Sequence, residues 1–94
     1  IMKWMLLLKN LQKILTEGTY VSILYQGGRG FRGYCQGQVE EQYLDEAGEM
    51  VIEMDQGFVY INTETIERVT YMECEDQEYT IEFCGDTRME IHVL

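Results

Sequence analysis

The hydrophobic period of the chain changes once, at Gly18. Before it, Trp4, Leu7, Leu8, Leu11, Ile14 and Leu15 recur at helical spacing, while Lys3, Lys9, Asn10, Gln12 and Lys13 fall on other faces. Residues 2–15 therefore read as an amphipathic helix that Gly18 ends. Met2, Met5 and Leu6 widen the apolar stripe beyond one packing face. Two readings follow: an ordinary core helix with an apolar start, or a surplus that a neighbouring subunit covers.

After Gly18 the period is two. Tyr20 to Gln26 is a strand rich in Val, Ile and Tyr, and the GGRG of 27–30 turns it into a second strand through Phe31, Gly33, Cys35, Gly37 and Val39. Glycines inside that strand allow sharp bending. DEAG at 45–48 predicts a turn before a strand from Met50 to Asp55, and Gln56-Gly57 leads into Phe58 to Ile61. The polar corner 62–65 precedes a fifth strand, Ile66 to Tyr71, and residues 73–78 read as an acidic connection. Tyr79 to Phe83 and Met89 to Val93 alternate about Cys84-Gly85-Asp86-Thr87, which predicts a terminal hairpin.

A helix followed by five short bent strands with a tight corner before the fifth resembles the small barrels of the Sm and Hfq class. VSILYQ at 21–26, GQVE at 37–40 and YINTETIERV at 60–69 look like the first strand, the bent second strand and the fourth-to-fifth-strand corner of Hfq-like proteins. The resemblance spans about residues 6–71. It implies a five-stranded Sm-like (SH3-like) small barrel over 19–71 behind the N-terminal helix; the hairpin over 79–94 lies outside the family's core pattern, so the expected fold is mainly β, a single domain of residues 1–94 with a C-terminal β-hairpin extension. It further implies ring-like self-association through sheet edges. Hfq-like RNA binding is not implied, because the lysine-histidine pair that follows the corner tyrosine in that family is replaced by Ile61 and Asn62 after Tyr60. The acidic position a few residues after the GQIE-like word is matched here by Tyr43, with Asp45 two places late.

Composition narrows the function classes. Ninety-four residues, 46% hydrophobic and 26% charged, suit one compact domain small enough to gain buried area from self-association. The net charge of −10 is lopsided: residues 1–39 carry Lys3, Lys9, Lys13, Arg29 and Arg32 against Glu17, whereas residues 40–94 carry sixteen acids against Arg68 and Arg88. General DNA binding is disfavoured, since it rests on Lys and Arg displacing counterions. Cys35, Cys74 and Cys84 form an odd set without CxxC spacing, which fits a reducing cytoplasm better than a disulfide framework. The apolar start is interrupted by Lys9 and Asn10 and is followed by no cleavage signature, so neither a signal peptide nor a membrane role is expected.

The chemistry-bearing residues are few. Ser22 is the only serine and His92 the only histidine, on different predicted strands, so no catalytic triad is expected and the chain reads as non-enzymatic. His92 reads as a packing residue, and the acidic pairs lack the offsets of a Ca2+ loop, so neither a metal site nor a cofactor is expected. The segment GGRGFRGY at 27–34 stands apart. Arg29 and Arg32 supply forked donors for phosphate, Phe31 and Tyr34 flat faces for base stacking, and the glycines a backbone that a ligand can approach. On the other reading the glycines serve only the turn and the arginines pair with nearby carboxylates. Two functions follow: an oligomeric module that holds a nucleotide or short RNA at clustered copies of this loop, or an acidic interaction module, including a nucleic-acid mimic, that binds a basic protein.

Overall fold

The computed structural model describes residues 3–94. Helix α1, Lys3–Ile14, buries Leu8 and Leu11, with Leu15 just beyond it also buried. The helix stops where several interactions converge. The Thr19 hydroxyl donates to the Ile14 carbonyl (3.1 Å), Thr19 N–H donates to the Thr16 carbonyl (3.0 Å), and Gly18 takes a φ of +90° that a side chain would resist. Gly18 N–H then donates to Val39 and Val39 N–H to Thr19, which ties the helix exit to the sheet. Met5 and Leu6 remain exposed, so their part of the broad stripe is not covered within one chain; Met2 lies outside the described residues. Among the described residues no helix is long and apolar enough to cross a membrane.

The remainder is mainly β. Strands β1 (Tyr20–Gln26), β2 (Arg32–Leu44), β3 (Met50–Met54), β4 (Gly57–Ile61), β5 (Ile66–Glu73), β6 (Gln77–Phe83) and β7 (Thr87–Val93) form one antiparallel sheet in the order β4-β3-β2-β1-β7-β6-β5. A 3-10 turn, Thr63–Thr65, links β4 to β5; its start is capped by the Asn62 side chain, which accepts from Glu64 N–H. The terminal hairpin is therefore no appendage to a five-stranded barrel. β7 takes the place beside β1, and β6 stands between it and β5, so the sheet has seven strands and is not closed. The alternating Ile81, Met89 and Ile91 explain the placement: on a solvent-facing extension they would lie exposed, whereas all three are buried.

The sheet is strongly coiled. Seven strands at about 4.8 Å spacing span roughly 29 Å, but a flat layer would be only about 10 Å thick. The chain instead extends 34 × 33 × 32 Å. Curvature enters at two bulges, one at Glu40 in β2 and one at Glu67 in β5, and at Gly37, where an added Cβ would collide with the Asp55 carboxylate. The bulge in β2 also inverts the facing of its side chains. Before it Cys35 and Val39 face inward; after it Gln42 and Leu44 share the face of Ile52 and Met50. Inside the coil one cluster forms from Val21, Ile23, Met50, Ile52, Ile61, Ile81 and Ile91, and α1 lies against β5 to complete it. No polar or charged residue is buried among the described residues.

Candidate functional site

Directly opposed residues of an antiparallel ladder point to the same face, so the register fixes rows of side chains across the outer surface. One row reads Arg32, Gln26, Arg88, Glu82, Arg68, running from β2 across β1, β7 and β6 to β5. With Arg29 in the adjoining β1–β2 turn, it gathers all four arginines of the chain at one end of the sheet. Two hairpin turns meet there: Gly28 approaches Gly85 and Asp86 so closely that an added Cβ would lie 3.2 Å from Asp86 Cβ.

The arginines fall into two classes. Arg68 is hydrogen-bonded to Glu82, and Arg88 pairs with Glu90 at 3.1 Å. The Arg68 hydrogen bond holds the Glu82 carboxyl below the ordinary carboxylate range and raises the Arg68 guanidinium further. Arg29 and Arg32 are exposed, and among the described residues neither has an ion pair or a side-chain hydrogen bond. Intramolecular pairing of these two guanidinium groups, one of the two readings of the loop, is thus not observed.

Phe31 and Tyr34 are both conspicuously exposed, at 63% and 60%, but they serve different faces. Tyr34 stands next to the arginine row on the outer surface, opposite Leu24. Its hydroxyl donates to Gln36 Oε1 (2.5 Å), whose amide donates to the Tyr20 hydroxyl (3.0 Å), so the ring is held while its face stays open. Phe31 turns the other way: it packs on Gly27 and tilts against Tyr25 at a centroid distance of 5.9 Å. The structure therefore brings Arg32 and Tyr34 together on one surface and sets Phe31 around the edge. Arg68 and Arg88, which spacing alone does not connect to the loop, join through register; the missed signal was the pairing of β7 with β1.

Ser22 and His92 prove to be cross-strand partners. They do not form a nucleophile and base, because no hydrogen bond joins them and both ring nitrogens face carboxylates: Nδ1 lies 3.4 Å from Asp76, and Nε2 lies 3.8 Å from Glu78 and 3.9 Å from Glu90. The three cysteines are free; Cys74 and Cys84 are exposed, and burial pushes the Cys35 thiol up. No family model, no curated protein and no solved structure matches the chain.

Proposed function

We propose that the chain is a non-catalytic module that holds a phosphate-bearing ligand, a nucleotide or a short RNA, at the arginine end of its outer face. The observation that carries this reading is the contrast within the row. Glu82 and Glu90 neutralise Arg68 and Arg88, which leaves Arg29 and Arg32 as unpaired forked donors beside the open ring of Tyr34. In a chain of net charge −10, two such guanidinium groups form a weak site alone. Self-association would multiply them. The resemblance to Sm-like barrels would support that step: β1 to β4 are neighbours in sequence order and a 3-10 corner joins β4 to β5, although β6 and β7 lie between β1 and β5.

The test is fluorescence anisotropy with short oligo-U, oligo-A and cyclic nucleotides at low and moderate salt, alongside the solution mass. Binding is expected to weaken with salt and to disappear in Arg29→Ala/Arg32→Ala. Absence of binding to every probe at low salt rejects the reading.

A second reading draws on the opposite end of the sheet. There Glu73, Glu75, Asp76 and Glu78 crowd the β5–β6 turn beside an open groove that Gln77, Val93 and Leu94 also line. A basic protein docking on this surface would be steered by its field. Pull-down at rising salt tests it: a basic partner lost above moderate salt supports the reading, and an empty lane rejects it.

A further inference from the structure

The geometry points to a binding site for a divalent first-row transition ion formed by Glu78, Glu90 and His92. The ligand set is built on rigid backbone. Glu78 on β6 and His92 on β7 are direct cross-strand partners, and Glu90 precedes His92 by two residues on the same face. All three side chains are half-buried, and their ligand atoms lie within 4.8 Å of one another. A first-row ion with bonds of about 2.0–2.2 Å holds neighbouring ligand atoms about 3–4 Å apart. The His92 Nε2 distances of 3.8 Å to Glu78 Oε1 and 3.9 Å to Glu90 Oε1 already match that span, and rotamer adjustment of two glutamates closes the third.

The two nitrogens of the ring divide the work. Asp76 Oδ2 faces Nδ1 at 3.4 Å, the position from which a carboxylate orients a metal-binding imidazole and leaves Nε2 as the donor atom. Nε2 and the two carboxylate oxygens thus converge on one point that a cation can occupy. Glu90 has one oxygen to offer because its other, Oε2, is taken by Arg88, and the Glu78 side chain has no hydrogen-bonding partner among the described residues. One imidazole with two carboxylates selects Zn2+, Mn2+ or Co2+ over Ca2+ and Mg2+, which favour all-oxygen shells. The cation is also matched electrostatically: the three surrounding carboxylates carry −3, which a dication reduces to −1.

His92 is the only histidine, so one imidazole resonance reports on the site. The experiment titrates the intact 15N-labelled protein with Zn2+ alone, and with Mg2+ alone, in a non-coordinating buffer at neutral pH. The site predicts a saturable shift of the His92 Nε2 resonance with Zn2+ and none with Mg2+. It also predicts Zn2+ binding at least tenfold weaker in Glu78→Gln and in Glu90→Gln, and about tenfold weaker in Asp76→Asn. Cys74 and Cys84 are exposed competitors for zinc, and capture by them would leave the His92 resonance unmoved. Such an unmoved resonance at saturating Zn2+ overturns the inference, as does a shift whose midpoint in both glutamine variants equals that of the wild-type chain. The wild-type titration stands even if a variant fails to fold.

Discussion

Tyr25 stands directly across the β1–β2 ladder from Gly33, with its ring over the glycine in the space a Cβ would occupy. The glycine thus seats an aromatic side chain that carries the edge of the core toward Phe31. Gly33→Ala is expected to destabilise the chain by about 1–3 kcal/mol, the usual cost of overpacking, which lowers the Tm by roughly 4–8 °C for each kcal/mol in a domain of this size. Urea unfolding measures it. The same substitution in a Tyr25→Ala background should cost markedly less, because the clash is with the ring; an equal cost in both backgrounds would assign the effect to the backbone instead.

The Arg68–Glu82 pair makes a prediction about acid. Its hydrogen bond lowers the Glu82 pKa in the folded chain. A carboxylate depressed by folding contributes stability that is fully present above its unfolded value, about 4.3 for glutamate, and that is lost as pH falls through the folded value. Glu82→Gln should therefore leave stability at pH values below both unchanged relative to wild type, while removing a small increment at neutral pH. The effect is small because the pair is exposed to solvent. The urea midpoint followed from neutral pH down through the carboxylate range checks it: the wild-type curve should fall more steeply than that of the variant.

The parts of this fold that were legible are those set by local pattern. β1 over Tyr20–Gln26 follows directly from its alternation, and α1 lies within the helical stripe. β2 continues to Leu44, five residues past Val39, because the bulge at Glu40 shifts the alternation by one and disguises the second half of the strand as polar sequence. β6 likewise starts at Gln77 rather than Tyr79, since its first residues, Gln77 and Glu78, look like part of the acidic turn. Strand order is a different kind of information. Nothing in the alternation of Met89, Ile91 and Val93 says that β7 pairs with β1, and without that pairing the arginine row cannot be drawn from β2 to β5; the carboxylates around His92 need only the β6–β7 hairpin and its register. The exposure of Arg29 and Arg32 was readable from the glycine turn; their lack of carboxylate partners was not.

The cysteines should react in two classes. Cys74 and Cys84 are exposed, whereas Cys35 is partly buried and burial raises its pKa, so less of it is thiolate at neutral pH. Labelling the native chain with a chromogenic disulfide is expected to show two fast thiols and one slower by about tenfold or more. Adding denaturant should merge the phases. Three equal native rates would mean that β2 opens readily around Cys35.

The free sheet edges give the last prediction. β4 and β5 each have one paired side and one unpaired side, and an unpaired edge is a template for another strand unless charge or proline guards it. β5 carries Glu67, Arg68 and Glu73, whereas β4 has no charged residue and no proline. Its outward Phe58 and Tyr60 are 61% and 54% exposed and pack edge-to-face with centroids 5.1 Å apart. Beside them an open groove of about 310 Å3 is lined by Tyr25, Val59 and Met89. An aromatic pair on an unguarded edge stabilises association by removing both rings from water. Sedimentation velocity over a concentration series should show self-association of the wild-type chain. Phe58→Glu, which places a charge on that edge, should shift it to monomer, while Met72→Glu, at an exposed position of β5, should not. A wild-type chain that stays monomeric at high concentration would leave the β4 edge without this role and confine any ligand to the two arginines of a single copy.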